Sequence, residues 1–193
     1  MIDEIIKEIN LCLDNGCVIA ALTSSLILPD ICAKAIYPEL SGKGQSKARY
    51  IKWYEEYVGQ YECSPFPGTV IQYPSGELIY SLRCSLLHEG NPSIENDKFG
   101  IVYFELVYNK ARGSAMVSYS SKSQIVKDEN GNEKKTNMKI SINVRDICKK
   151  ICVLAKVCYE EHKNKFNFFN YNLVNANFQA RKTLGLRKGC VTE

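Results

Sequence analysis

Hydrophobic positions recur at helical spacing from the first residues of the chain. Ile5, Ile6, Ile9 and Leu13 share one face of residues 2–14, opposite Asp3, Glu4, Lys7 and Glu8, and Asn15-Gly16 supplies a stop, so the pattern predicts an amphipathic helix. From Cys17 onward the pattern is apolar nearly all round, which predicts a central helix that Pro29-Asp30 should kink, or end before a restart over Ile31 to Ile36. Ser41-Gly42-Lys43-Gly44 is a flexible break, after which Ala48, Ile51, Trp53, Tyr54, Tyr57 and Val58 mark a third helix with an aromatic face. Beyond the loop at residues 64–68, Pro74-Ser75-Gly76 leads into a fourth helix over Glu77 to Glu89. Its buried stripe is Leu78, Ile79, Leu82, Leu86 and Leu87, and Gly90-Asn91-Pro92 is the termination signal.

The period then changes. Ile101 to Tyr108 is rich in β-branched and aromatic residues, Ala111-Arg112-Gly113 makes a turn, and Ala115 to Tyr119 reads as another strand. Ile140, Ile142 and Val144 alternate with polar neighbours. Asn130-Gly131, inside the polar run Lys127 to Lys135, is the strongest hairpin turn in the chain and should form an exposed, mobile tip. The expectation for this region is a three-stranded antiparallel β-meander. Ile147, Ile151, Leu154, Ala155, Cys158 and Tyr159 restore helical spacing through about residue 163. The expected fold is therefore a mainly α helical bundle (residues 1–92 and 145–164) with an inserted meander (99–144) and a C-terminal tail (165–193), α+β overall. No internal repeat is present.

Composition narrows the picture without deciding it. At 193 residues, 45% hydrophobic and 24% charged, the chain is long enough for one closed core and short for two. No run of eighteen apolar residues occurs, because Thr23, Ser24 and Ser25 interrupt the stretch from Val18 to Leu28, so no membrane span is expected. The start Met1-Ile-Asp-Glu lacks the basic opening of a signal peptide, and the expected location is cytoplasmic. The nine cysteines are odd in number, and Cys12, Cys17, Cys32, Cys84, Cys148, Cys152 and Cys158 sit inside hydrophobic segments, so they read as reduced thiols packed in the core. A formal charge of +4 permits contact with phosphate but is modest for a dedicated nucleic-acid binder.

Candidate chemistry concentrates at the end of the fourth helix. Arg83 and His88 are five positions apart, about 140° and about 7.5 Å along an ideal helix, so they border one cleft without sharing a narrow face. Arg83 offers a planar fork for phosphate, and His88, in the last turn, offers a group able to donate a proton to a leaving oxygen. Cys148, Cys152, Cys158 and His162 fall within one arc of the fifth helix, but Cys152 and Cys158 lie about 9 Å apart along the axis, too far to meet around one zinc. They read as a thiol-lined core, and no metal or other cofactor is expected. In the tail, Phe166, Phe168, Phe169, Tyr171 and Phe178 precede Arg181, Lys182, Arg187 and Lys188, a candidate nucleic-acid-binding set, although such aromatics more often pin a terminus to the core. Lys122, Lys127, Lys134 and Lys135 on the hairpin are a second candidate. Gly42-Lys43-Gly44 lacks P-loop spacing and no Gly-x-Ser-x-Gly is present, so triphosphate chemistry and serine hydrolysis are unsupported.

The stretch Tyr80-Ser-Leu-Arg-Cys-Ser-Leu-Leu-His-Glu-Gly90, closing a helix that follows several others, resembles the Arg-x4-6-His signature of the HEPN superfamily. These are helical-bundle proteins, many of them metal-independent ribonucleases of defence, toxin and RNA-processing systems. The resemblance covers roughly the first 90 residues and the helix at 145–163. It implies a homodimer in which two copies of Arg83 and His88 converge on one scissile phosphate of RNA. His88 would assist proton transfer as the 2′-hydroxyl attacks, Arg83 would stabilise charge on phosphorus, and a cyclic phosphate would result without metal. Cys84 follows Arg83 where catalytic members commonly carry Asn or Asp. Two other readings stay open: a catalytically silent HEPN-like binding module, and an interaction protein whose meander captures a partner by strand pairing.

Overall fold

The computed structural model describes residues 2–61, 74–90, 93–96, 100–108, 119–127 and 133–168. Five α-helices, α1 (Ile2–Asp14), α2 (Val18–Ile36), α3 (Ser46–Trp53), α4 (Gly76–Cys84) and α5 (Val144–Glu161), frame a small sheet. Its strands β1 (Ser93–Asn96), β2 (Gly100–Val107), β3 (Tyr119–Lys127) and β4 (Glu133–Asn143) all lie between α4 and α5. The described fold is mainly helical with a mixed sheet. α3 and α4 each pass into a π-helical turn, Tyr54–Val58 and Ser85–Glu89.

α2 is the centre. It packs on α1, α3, α4 and α5, and Leu22, Leu26, Leu28 and Cys32 are fully buried among Tyr50, Trp53, Tyr54, Ile79, Leu82, Ile147 and Ile151. Of the kink or end expected at Pro29-Asp30, the end is corrected: one helix runs from Val18 to Ile36 with Pro29 inside it. Pro29 takes one N–H from the backbone ladder, and burial of apolar side chains on almost every side outweighs that single loss. α2 is also the one described helix long and apolar enough to cross a bilayer, and 56% of that stretch is buried within the fold.

α4 is held against α3 by a glycine. A Cβ on Gly76 would meet Ile51 O at 3.1 Å and Tyr54 Cβ at 3.2 Å, so only glycine lets the two backbones approach this closely. The Gly76 N–H donates to Glu55 Oε1 at 2.6 Å, Ser75 caps the helix by accepting from Leu78 N, and Lys47 pairs with Glu77 at 2.8 Å. The helix stops at Gly90, whose φ of 66° is left-handed and whose N–H returns to Ser85 O at 2.8 Å. The widening of the last turn leaves Leu86 and Leu87 only half-buried, short of the buried stripe expected of them.

The antiparallel meander is corrected in topology. β3 and β4 do pair antiparallel, with Lys127 opposite Glu133, but β2 runs parallel to β4 and β1 adds a short antiparallel edge, in the order β1-β2-β4-β3. The two strands with the clearest apolar alternation lie side by side: Val102 and Phe104 of β2, Met138, Ile140 and Ile142 of β4, all buried. β3 takes the edge opposite β1. Of the strand expected at 115–119 only Tyr119, in β3, falls within the described residues; the rest of it and the Asn130-Gly131 turn lie outside them. Val144 belongs to α5, because Asn143 caps that helix by accepting from Asp146 N at 3.3 Å.

Arg145 ties the sheet to the bundle. Its Nη2 donates to Leu13 O at 2.9 Å, the Tyr108 hydroxyl donates to the same carbonyl at 3.0 Å, and Nη1 faces Asp14 at 3.4 Å. One open carbonyl at the end of α1 thereby receives donors from the residue after β2 and from the first turn of α5.

Burial ranks the helices' contributions. Leu22→Ala is expected to cost about 2–5 kcal/mol in urea unfolding, whereas Val153→Ala, at a position 62% exposed on α5, should change stability by under about 0.5 kcal/mol.

Candidate functional site

The sequence-predicted pair lies where expected in the chain, but the two side chains have different surroundings. Arg83 sits in the last turn of α4 and reaches toward α2, its Nη2 2.9 Å from Asp30 Oδ2, with both side chains about one-fifth exposed. His88, in the π-helical turn that follows, is exposed. A π-helical turn is an uncommon local geometry that recurs at functional sites, and here it carries the histidine outward while the arginine is held inward.

Asp30 is the residue that a reading of the sequence passed over. It is a carboxylate inside the most apolar of the described helices, and that isolation was the available signal. Burial pushes its carboxyl above the ordinary value, against the pull of the Arg83 and Arg49 charges. Burial also works against the Arg83 charge, but the Asp30 carboxylate, with Cys84 and Tyr80 adding to it, holds the guanidinium above its ordinary value. The contact is an ion pair without good hydrogen-bond alignment: Asp30 Oδ2 and Arg83 Nε have no hydrogen-bond partner among the described residues. Tyr80 lies alongside with its ring centre 5.9 Å from the guanidinium carbon, and meets Tyr50 edge to face at 5.2 Å. Tyr50 is fully buried, and burial followed by the Asp30 charge raises its phenol well above the usual range. Arg49 completes the group, its Nη1 donating to Leu40 O at 3.1 Å.

On the other side of α4, an open groove of about 600 Å³ runs between the α3–α4 pair and the β1–β2 edge. Lys47, Tyr80, Cys84, Ser85, Glu95 and Tyr103 line it. Cys84 and Ser85 thus border the groove directly between Arg83 and His88 in the chain.

No protein-family model, curated protein or solved structure matches this chain. Its own geometry is therefore the ground for any functional reading.

The other candidates separate clearly. Arg181, Lys182, Arg187 and Lys188 lie outside the described residues, as do Phe169, Tyr171 and Phe178. The first tail aromatics do pin the chain to the core: Phe166 is buried with its ring edge to face with Tyr159 at 5.1 Å, and Phe168 lies under Lys34 at 4.6 Å. Lys122, Lys127, Lys134 and Lys135 belong to β3 and β4. Cys148, Cys152 and Cys158 are buried along α5, with Cys148 accepting from Ser25 Oγ at 3.3 Å, the thiol-lined core expected of them. Cys158 is drawn down to about 7 by its hydrogen bond with Cys32, whose own thiol that contact pushes up. Cys17 departs from the expectation because it precedes α2 and is exposed, while Cys12 and Cys84 are half-buried on helix flanks.

Removing Arg83 should expose the cost of Asp30. A carboxyl whose folded value stands above its unfolded one favours the fold in its protonated form, so that contribution is whole below about pH 4 and is lost as pH rises through the folded value. Arg83→Ala lifts Asp30 further, and should cost about 1–3 kcal/mol at pH 7 but distinctly less near pH 4. Arg83→Ala/Asp30→Asn should recover part of the loss at pH 7. Urea unfolding at both pH values checks this, and an equal loss at the two would show that Asp30 does not depend on Arg83.

Proposed function

We propose that this chain is a HEPN-like, metal-independent endoribonuclease that acts as a homodimer. The observation that carries the reading is the arrangement at the end of α4: an arginine steadied by the Asp30 carboxylate and, five residues later, an exposed histidine, with Cys84 and Ser85 between them in the chain bordering a groove. A guanidinium that must meet developing charge on phosphorus gains from being held in place beforehand, and a proton-transfer group must reach solvent and substrate. In the reaction, His88 moves the proton of the attacking 2′-hydroxyl or the leaving oxygen, and Arg83 faces the phosphate oxygens.

The dimer has support on α2. Ile19, Thr23, Ile27, Asp30 and Lys34 recur every three or four residues and so share one face, on which Ile19 is 55% exposed and Ile27 is 38% exposed. An apolar row that ends at the Asp30–Arg83 pair is a suitable surface for a second copy, which would bring two arginines and two histidines together. The same ion pair favours a second reading, the silent binding module, because an arginine already neutralised by a carboxylate can serve packing alone.

Activity separates the two. The purified chain should cleave single-stranded RNA in the presence of chelator, leaving a cyclic phosphate. Arg83→Ala and His88→Ala should each lower the rate about 100-fold or more while light scattering still reports a dimer. Cleavage that persists in both variants removes the assignment, and binding of RNA without cleavage by the native chain selects the silent module.

A further inference from the structure

The groove beside α4 contains two groups that neither the Arg83–His88 pair nor the core accounts for. Tyr103, on the outer face of β2, is 47% exposed, and its ring stacks on no other ring among the described residues. Glu95, on β1, is exposed and forms no ion pair among them. Both point to the same face of the sheet. In the β1–β2 register, Glu95 lies opposite Ile101 and Ser93 opposite Tyr103, so Glu95 and Tyr103 are diagonal neighbours about 7 Å apart, with Ile101 adjoining both on the same face.

An aromatic face, an aliphatic floor and a carboxylate set to one side form a receptor for a flat ring that carries hydrogen-bond donors on its edge. A carboxylate only accepts, and its two oxygens match two adjacent N–H donors. Among the RNA bases, guanine presents such a pair at N1 and N2; uracil presents a single N–H flanked by carbonyl oxygens that a carboxylate repels. We infer that the groove is a base-recognition subsite for unpaired guanine, stacked on Tyr103 and held by Glu95 along its N1–N2 edge. The inference deepens the RNA-directed reading and rests on it for the polymer, while the choice of base comes from the groove alone. Lys47, which stands at the rim paired with Glu77 at 2.8 Å, is within the same groove to meet the flanking phosphate. Cys84 and Ser85 form the wall adjoining the Arg83–His88 turn, so a guanine seated here places its own phosphate next to that turn.

The test uses the full chain and fluorescein-labelled 2′-O-methyl RNA octamers, which cannot form the cyclic phosphate. One is all uridine, one carries a single central guanosine, and one carries inosine there, which keeps N1–H and lacks the N2 amine. Anisotropy titration should show the guanosine octamer binding about tenfold more tightly than the uridine octamer, with inosine between. Tyr103→Ala should weaken the guanosine octamer about tenfold, and Glu95→Gln should remove most of the preference for guanosine over uridine while retaining binding. Both substitutions are on an exposed sheet face, and circular dichroism of each variant should match the native chain. Equal affinity for the guanosine and uridine octamers, no binding of either, or an unchanged guanosine preference in folded Glu95→Gln overturns the subsite. The two readings fail separately: Arg83-dependent cleavage without guanine preference removes only the subsite, and guanine-selective binding without cleavage removes only the ribonuclease.

Discussion

A single carboxylate sets the terms for the rest of the molecule. Asp30 lies in α2, the helix on which the other four pack, and an ionised carboxylate there is costly unless a cation reaches it. Arg83 is that cation, and to reach Asp30 it has to come from the last turn of α4. The position of α4 is consequently constrained at both ends: at its start by the close approach of Gly76 to α3, at its finish by the ion pair. A helix of nine residues held at two points has little freedom to slide, and the groove on its other side inherits that rigidity.

The π-helical turn after Cys84 resolves a conflict between packing and exposure. An ideal α-helix would carry the Leu86 and Leu87 positions onto the same apolar stripe as Leu78 and Leu82. The wider turn relaxes that register, so the leucines are half-buried and His88 is turned to solvent. Gly90 then closes the element in a left-handed conformation that few other residues adopt at low cost. Arg83 is thus fixed by charge, and His88 is exposed by backbone geometry. The pair differs in how each member is positioned, although the two are five residues apart.

Much of the helical scaffold could be read from periodicity. α1, α4 and α5 lie close to their expected bounds, because each has a clear apolar stripe, and α1 and α4 also have a stop or cap written in nearby residues: Gly16, Ser75 and Gly90. The points that failed are those where tertiary packing overrides a local signal. Pro29-Asp30 signalled a kink or an end, and the buried surroundings of α2 carry one helix through it. β3 and β4 pair antiparallel, as expected of neighbouring strands in a meander, but nothing local specifies that β2 pairs parallel to β4 across a long connection; that choice follows from matching two apolar faces over one core. At the site, Arg83 and His88 stood out by residue type, whereas Asp30, Glu95 and Tyr103 acquire meaning only when α2 and the β1–β2 edge are brought up to α4.

The placement of the inserted strands bears on why the groove exists. A sheet added between α4 and α5 could have been peripheral, but Arg145 and Tyr108 converge on Leu13 O and lock the start of α5 and the end of β2 to α1. With β2 held there, the short edge strand β1 falls beside the end of α4. The bundle supplies one wall of the groove and the sheet supplies the other, and neither wall alone would face a ligand. A helical bundle without the insertion would keep Asp30, Arg83 and His88 but lose Glu95 and Tyr103. On the proposed reading, the bundle would carry the groups that meet phosphate, and the sheet the groups that choose what is attached to it.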